Sequence, residues 1–242
     1  MIKTIPIRLD YYQYATETWR KILDKLNFRN LKTVFDLCPG WSPKLELALL
    51  ETDFSGILYA VDKSKDNLNI LKNLIEPFPK KFIVKYIQAD ILNLSKAFSD
   101  LSADLILANH IVDDMLLDNY LKGNHSNIEL FENPVLLKKT WHKILNQDNN
   151  FTQIKERLKE ILASRLNPGG YLLLAQYLGY QENLYKLREA YRKCKGLVGN
   201  LKTDLLKTGE FVEEKEIITS AFLEIKNPYF PKDDILCLKK LA

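Results

Sequence analysis

The chain is poor in the residues that build several familiar kinds of site. Its 242 residues include only nine glycines, three cysteines and three histidines, and it has no phosphate-binding GK[ST] loop. The cysteines are odd in number and far apart, at positions 38, 194 and 237, which excludes a disulfide framework and a CxxC metal site. No apolar run approaches the ~18 to 20 residues that span a bilayer. We therefore expect no membrane segment and no membrane partner.

The remaining composition is that of an ordinary globular domain. Hydrophobic residues make up 46% of the chain and charged residues 27%, which indicates neither disorder nor a fibrous repeat. A chain of this length can bury one sizeable core. Arg8 and Asp10 interrupt the first residues before the apolar region of a signal peptide could form. We expect one domain with appendages, and a cytoplasmic protein; no pattern indicates an oligomeric state.

Apolar runs and helix signals alternate along most of the chain. We predict strands over residues 33–37, 56–62, 82–87, 103–108 and 171–176, helices over residues 11–26, 42–51, 64–75 and 151–166, and two last strands within residues 211–225 and 234–241. Ser42 followed by Pro43 has the residue types of a helix N-cap and first helical position. Continuous apolar runs such as residues 57–61 are typical of parallel strands covered on both faces. The pattern predicts an α/β fold.

The first strand leads into a tight turn over residues 38–43, and the second strand ends in Asp62. A strand, a tight turn and a helix start are typical of a nucleotide-binding βαβ unit. The turn holds one glycine, and Pro39 and Pro43 lack the backbone N–H that a dinucleotide's pyrophosphate would need. An adenosine whose ribose binds an acidic strand end, with an amino-acid tail near the turn, suits these residues better. S-adenosylmethionine (SAM) is such a ligand.

From about Leu31 onward, the order and spacing resemble the class I SAM-dependent methyltransferases. The segments LNPGGYLLLA (residues 166–175) and DILCLKKL (residues 234–241) are typical of that family. Cys38 and Ser42 stand where the fullest family pattern has glycine, so that only Gly40 matches. The resemblance implies a Rossmann-like, seven-stranded, mostly parallel sheet with a terminal antiparallel hairpin and helices on both faces. It divides the chain into a helical lid segment, residues 1–30, and a SAM-binding domain, residues 31–242.

The resemblance also implies where the cofactor lies. Asp36 and the backbone from Cys38 to Gly40 would lie by its methionine part. Asp62, with the adjacent Lys63, would bind the ribose hydroxyls, since an ionised carboxylate accepts two hydroxyls in an oriented way.

Three further positions complete the implied cofactor site. Asp90 would bind the adenine amino group, with Ala89 or Ile91 packing against the ring. Tyr14 could cover the sulfonium with its ring face. Each has a plainer interpretation: strand-end carboxylates such as Asp62 and Asp90 are often merely solvated, and aromatic residues of an N-terminal helix more often pack in a core.

The fourth strand is followed by Asn109 and His110, where the family places residues that contact the transferring group and the acceptor. His110 could take a proton from an acceptor nitrogen or oxygen, because an unperturbed imidazole titrates near neutrality. Asp113, with Asp114 beside it, could hold a cationic acceptor or polarise His110. A packed histidine and two acids favoured at a helix N-terminus are the competing interpretations.

The segment of residues 115–150 is longer than the usual connection of ~2 to 6 residues, which predicts a lid or substrate insertion.

Metal binding is disfavoured, because His110, His125 and His142 lack the close i, i+4 spacing of metal-binding helices. Residues 182–207 carry seven Lys or Arg residues against three acidic ones. Such a run can bind RNA, but it is more often the solvated face of a surface helix.

The leading hypothesis is methyl transfer from SAM to a small-molecule acceptor. The fourth strand ends in Asn109-His110-Ile111-Val112 and lacks the Asn-Pro-Pro-aromatic tetrad of many enzymes that methylate base amino groups. A nucleic-acid partner is therefore disfavoured, although an RNA methyltransferase that uses the basic stretch stays a competing hypothesis. Three more hypotheses stay open: transfer or cyclisation of the aminocarboxypropyl arm of SAM, an NAD-type oxidoreductase, and a catalytically silent SAM-binding subunit.

Overall fold

The computed structural model describes residues 9–26, 28–94, 101–121, 130, 133–179, 183, 185–226 and 228–242. Its strands are β1 (Thr33–Leu37), β2 (Ile57–Asp62), β3 (Ile83–Gln88), β4 (Ala103–Asn109), β5 (Leu166–Ala175), β6 (Phe211–Glu213) and β7 (Ile235–Lys240). They form one seven-stranded sheet in the order β3-β2-β1-β4-β5-β7-β6. The strands β1 to β5 are parallel, and β7 pairs antiparallel with both β5 and β6. The predicted α/β sheet with an antiparallel end is confirmed.

Eight α-helices are described: α1 (Leu9–Leu23), α2 (Lys44–Leu50), α3 (Lys65–Ile75), α4 (Ile111–Leu121), α5 (Pro134–Leu145), α6 (Asp148–Arg165), α7 (Arg188–Lys207) and α8 (Lys215–Glu224). Ser64 caps α3, since its Oγ accepts a hydrogen bond from the Asn67 N–H at 3.2 Å. No helix of the described residues is long and apolar enough to cross a membrane.

One local prediction differs from the structure. The predicted N-cap role of Ser42 is wrong: Pro43 is the N-cap of α2, and the Ser42 Oγ is buried without a hydrogen-bond partner among the described residues. The strand predicted within residues 211–225 is Phe211–Glu213, and α8 follows it. The antiparallel pair β6 and β7 is thus joined through a helix.

Both faces of the sheet are covered, as the continuous apolar strands predict. Along β4, Ile106 and Ala108 face one core while Leu105 and Leu107 face the other, because alternate side chains of a strand point to opposite faces. The first core is completed mainly by α4, α5, α6 and α7, and the second by α1, α2 and α8. All four of these β4 side chains have no exposed surface.

The two segments predicted as lids are largely built into these cores. On α1, Trp19 and Ile22 have no exposed surface, and the Trp19 ring lies 5.9 Å from that of Phe230. Of residues 115–150, the first seven belong to α4, and α5 buries Leu137 and Trp141 in the first core. Residues 122–129, which include His125, lie outside the described part of the chain. A covering role for either segment stays a prediction.

Gly56 marks the closest approach between two parts of the backbone at the start of the sheet. A Cβ atom there would lie 2.0 Å from the Lys32 carbonyl oxygen. We expect Gly56→Ala to lower the free energy of unfolding by ~1 to 3 kcal/mol, the usual range for overpacking. Gly196→Ala, at an open helical position of α7, should raise it by ~0.5 to 1 kcal/mol. Urea denaturation of both variants measures these changes, and a Gly56→Ala variant as stable as Gly196→Ala would contradict the close approach.

Candidate cofactor and acceptor site

A cleft of about 180 Å³ opens at the carboxyl ends of β1, β2 and β3, beside α4. It is lined by Cys38, Lys63, Ala89, Asp90, Ile91, Leu92, Met115, Asp118 and Asn119. The structure thus brings together four residues of the predicted cofactor set: Cys38, Lys63, Asp90 and Ile91. The contribution of α4 was missed by sequence reasoning, because Met115, Asp118 and Asn119 were assigned to an insertion.

The turn after β1 is held open by two residues with left-handed backbone. Cys38 has φ 57° and Gly40 has φ 63°. This conformation is costly for residues other than glycine, and the Cys38 N–H donates to the Val61 carbonyl oxygen at 2.9 Å. A Cβ atom at Gly40 would meet nothing within 4 Å. The backbone at Gly40 therefore borders open space, into which a ligand can approach closely.

Asp62, at the end of β2, ties this turn to the start of α3. Its Oδ2 accepts a hydrogen bond from the Gly40 N–H at 3.0 Å, and its Oδ1 accepts one from the Ser64 N–H at 2.7 Å. Burial raises the pKa of Asp62 above its ordinary value, although these two backbone donors act in the opposite direction. The Asn67 side chain is a third donor to this carboxylate. Because a carboxylate offers about four lone-pair sites, Asp62 can still accept from a ligand's hydroxyl group.

Asp90 and Tyr14 occupy less enclosed positions. The Asp90 carboxylate caps the short 3-10 helix Ile91–Asn93, accepting from the Leu92 N–H at 2.9 Å and from Asn93 Nδ2 at 3.1 Å. It also lines the cleft, so the structural and binding roles are compatible. Tyr14 is 50% exposed on α1 and does not line the cleft. Its contact with a sulfonium stays a prediction.

His110 and Asp113 form a pair at the carboxyl end of β4. The His110 Nδ1 lies 3.0 Å from the Asp113 Oδ2, and the Asp113 carboxylate is 5% exposed. A carboxylate can only accept at this distance, so Nδ1 carries the proton and the basic lone pair is on Nε2. His110 itself has a left-handed backbone, φ 65°, and such strain occurs often at functional sites. The pair has the arrangement of an oriented general base.

The end of β5 contributes two side chains that sequence reasoning missed. The Gln176 Nε2 lies 3.4 Å from the His110 Nδ1, and the Tyr177 ring packs edge-on against the imidazole with centroids 4.4 Å apart. The Asn109 Nδ2 donates to the Tyr177 hydroxyl at 3.3 Å. A protonated Nδ1 needs an acceptor, and Gln176 Oε1 has no partner among the described residues. Turning the Gln176 amide by 180° would bring Oε1 towards Nδ1 and supply a donor to this oxygen.

No protein-family model matches the chain, and no curated protein matches it in sequence. Solved structures do resemble it. The plantazolicin methyltransferase BpumL in complex with SAH has a TM-score of 0.55 at 15% sequence identity, over 97% of this chain and 86% of that one. The same enzyme with SAH and a pentazolic desmethylPZN analog has a TM-score of 0.54 at 13% identity, over 97% and 87% of the two chains. At such identities the likeness establishes the fold alone. This chain has the class I methyltransferase fold.

Within the methyltransferase fold, the basic helix α7 is tied to its neighbours. Lys195 pairs with the buried carboxylate of Asp234, which also accepts from the Tyr191 hydroxyl at 2.9 and 3.0 Å. Lys202 pairs with Glu213 at 2.5 Å. The Lys193 Nζ lies 5.8 Å from the centroid of the Phe151 ring. At least three of the seven cations of residues 182–207 are therefore engaged within the chain. This arrangement favours the structural interpretation of the basic stretch over RNA binding.

No group of His, Cys, Asp or Glu side chains suited to a metal ion lies in the part of the chain that the structure describes. His125 lies outside that part, and His142 is exposed on α5.

The Cys38 thiol, which lines the cleft, is held neutral: burial raises its pKa well above the ordinary value, and the carboxylates of Asp62 and Asp114 act in the same direction. The raised pKa disfavours the thiolate, which is the form in which a cysteine acts as a nucleophile.

Asp36 does not reach the cleft of the methyltransferase fold. It is 1% exposed and faces Glu46 of α2, which has no exposed surface. Burial raises the pKa of Asp36 well above its ordinary value and that of Glu46 to about 7. Neither carboxyl group has a donor among the described residues, so a shared proton supplies the hydrogen bond between them. Contact of Asp36 with a ligand stays a prediction.

This acid pair gives the fold a measurable pH dependence. A carboxyl whose folded pKa is raised stabilises the fold fully below its unfolded pKa, and this contribution is lost as pH rises through the folded pKa. For Glu46, that window runs from 4.5 to about 7. Relative to the double variant Asp36→Asn/Glu46→Gln, the native protein should lose unfolding free energy on the order of a few kcal/mol across it, to which the raised pKa of Asp36 contributes. Denaturation at several pH values measures the loss.

The matched control for the pH experiment is Glu160→Gln, which changes an exposed carboxylate of α6. Its unfolding free energy should follow that of the native protein across the whole range. Parallel curves for the native protein and the double variant would show that Asp36 and Glu46 share no proton.

Proposed function

We propose that the protein is a SAM-dependent methyltransferase acting on a small-molecule acceptor. The observation that carries the proposal is the cleft at the carboxyl edge of the sheet, where the open backbone at Gly40 and the Asp62 carboxylate lie beside Cys38 and Asp90. Open α/β sheets bind ligands at this edge, where neighbouring strands lead to opposite faces. The likeness in fold to a methyltransferase solved with SAH supports the same function.

The residues at the cleft fit SAM. The ribose hydroxyls would bind the remaining lone pairs of Asp62, and the adenine would lie between Asp90 and Ile91. The amino-acid part would approach the turn at Gly40, where no side chain stands in the way. Pro39 and Pro43 weaken the turn as a pyrophosphate site, which favours SAM over NAD. When bound, SAM supplies a methyl group activated by its sulfonium.

The chain's own residues would contribute alignment, exclusion of water and proton removal. Methyl transfer is an in-line displacement, so a fixed approach of the acceptor supplies much of the acceleration. Asn109 ends β4 and His110 follows it, on the side of the edge where β5 ends, and the buried Asp113 fixes the imidazole. In this arrangement Nε2 of His110 takes the proton that the acceptor loses.

The cofactor assignment is tested by calorimetry with SAM, SAH and NAD. We expect SAM and SAH to bind and NAD to bind far more weakly. Asp62→Ala should weaken SAM binding by ~1.5 to 3 kcal/mol, the range for hydrogen bonds to a charged group. Asp66→Ala changes an exposed carboxylate of α3 and should leave the affinity unchanged. Tight binding of NAD with none of SAM, or a folded Asp62→Ala variant of native affinity, would remove the respective assignment.

The reaction is tested by product analysis. The protein is incubated with SAM and either the small-molecule filtrate or the RNA fraction of a cell extract, and SAH and methylthioadenosine are measured by mass spectrometry. We expect SAH, with the filtrate only. His110→Ala should lower SAH formation ~100-fold or more, the range for general-base catalysis, without weakening SAM binding. The exposed His142→Ala on α5 is the matched control.

Three results would contradict the proposal or one of its parts. Methylthioadenosine as the main product would indicate transfer or cyclisation of the aminocarboxypropyl arm. SAH formed only with the RNA fraction would indicate an RNA methyltransferase. A His110→Ala variant that loses SAM affinity and turnover in equal proportion would place His110 in the wall of the cofactor pocket.

A further inference from the structure

We propose that the acceptor atom is the nitrogen of an amine, which the site receives as an ammonium group and methylates after His110 has removed a proton. This inference rests on the methyl transfer proposed above and specifies its substrate class. It is carried by the side chains around His110, by the buried charge at the edge of the sheet, and by the relative acidity of amines and hydroxyl groups.

The side chains around His110 hold more hydrogen-bond acceptors than donors. Asn109 Oδ1 and Asp113 Oδ1 are buried without a partner among the described residues, in residues that are 8% and 5% exposed. Gln176 Oε1, in a residue that is 3% exposed, gains a donor only when its amide is turned towards the His110 Nδ1 proton. Asp113 and Gln176 converge on the same imidazole nitrogen, at 3.0 and 3.4 Å. An added proton on the imidazole is stabilised here, because it places a positive charge beside the buried Asp113 carboxylate.

His110 connects this buried group to the surface, since its side chain is 13% exposed. With Nδ1 protonated towards Asp113, an incoming proton enters at Nε2 and produces an imidazolium beside the Asp113 carboxylate. The Asp113 carboxylate is the counter-ion of this imidazolium, so the positive and the negative charge lie side by side. The Tyr177 ring packed against the imidazole limits its rotation, which keeps Nε2 in one direction.

Buried negative charge at the edge favours a cationic ligand. The described partner of the Asp113 carboxylate is His110, and the described partners of the Asp62 carboxylate are the backbone N–H groups of Gly40 and Ser64 and the side chain of Asn67. Neither forms a salt bridge with a Lys or Arg side chain in the described part of the chain. An ammonium group therefore meets an attractive field at this edge, whereas a neutral hydroxyl group gains much less from it.

Relative acidity separates the acceptor classes further. An ordinary imidazole has a pKa of about 6.5, an α-ammonium group about 7.7 to 8.0, and a phenol about 10. Moving a proton to the imidazole is therefore unfavourable by only roughly 10- to 30-fold from an α-ammonium group, but by roughly 3000-fold from a phenol. For a hydroxyl as weakly acidic as bulk water, with a pKa of about 15.7, the factor is roughly a billion. A histidine base suits an amine of low pKa best.

The reaction balances in atoms and charge. The ammonium group gives one proton to His110 Nε2, which frees the nitrogen lone pair. The nitrogen then attacks the methyl carbon, a C–N bond forms as the C–S bond breaks, and the sulfur keeps the electron pair. The products are a methylated ammonium group and the neutral thioether SAH, and the imidazolium returns its proton to solvent.

Binding tests the substrate class without turnover. The probes are trialanine amide, which has a free α-amine, and N-lactyl-dialanine amide, which has a hydroxyl group in its place; phenethylamine and 2-phenylethanol form a second matched pair. By calorimetry on the protein saturated with SAH, at least one amine should bind ~10-fold or more tightly than its hydroxyl partner. Asp113→Asn should remove most of that preference. Asp66→Asn, at an exposed position of α3, should keep it.

Turnover with methyl-labelled SAM, measured as a function of pH, also tests whether the acceptor is an amine. We expect label on the amine nitrogen of the probe that binds and none on the hydroxyl analogues. His110→Ala should lower turnover ~100-fold or more near pH 7 and much less near pH 9.5, where an α-amine has lost its proton unaided. A variant that had merely lost its packing would show the same deficit at both pH values.

The outcomes separate the two proposals. Absence of SAM and SAH binding would refute the proposed methyltransferase function itself. Normal SAH binding with equal affinities within both probe pairs, with no methylated amine, or with label on a hydroxyl oxygen, would refute the amine acceptor and leave methyl transfer standing.

Discussion

The pairing of β1 with β4 is the constraint from which the site follows. These strands are neighbours in the sheet, yet the chain leaves β1 for β2 on one side and leaves β4 for β5 on the other. The connecting elements must therefore diverge, which opens a crevice at the carboxyl edge. The turn before α2 and the helix α4 border this crevice. A residue of left-handed backbone follows each strand, Cys38 after β1 and His110 after β4, so the chain turns sharply directly after both strands.

The carboxyl groups at this edge are stabilised by different means, and the differences assign their roles. Asp62 receives two backbone donors and stays next to the cleft. Asp36 and Glu46 share a proton, which leaves one negative charge on the two carboxyl groups instead of two and makes them a structural pair. Asp113 is buried against an imidazole, so its charge is balanced only as that ring gains a proton. The carboxyl edge therefore combines a carboxylate suited to ligand binding, Asp62, with a carboxylate that supports proton transfer by an imidazole, Asp113.

Much of the fold could be predicted from the sequence, because strand periodicity and turn residues are local. The end of β2 at Asp62 and the end of β4 before His110 follow directly from the apolar runs. The pairing of Asp36 with Glu46 could not be predicted, because it depends on how α2 docks on the sheet. Gln176 was missed for a similar reason: it was predicted as the last residue of the fifth strand, but an amide beside an imidazole has no pattern in the sequence.

The position of β7 affects the order in which the chain can fold. This strand lies between β5 and β6 and hydrogen-bonds to both, although it follows them in the chain by more than twenty residues. During synthesis, β1 to β5 can pair as they leave the ribosome, but β6 has no partner until Ile235–Lys240 has been added. The Gln176 N–H, which donates to the Asp234 carbonyl oxygen at 2.9 Å, is fixed only at that stage. The acceptor side of the edge is thus the last part of the sheet to form.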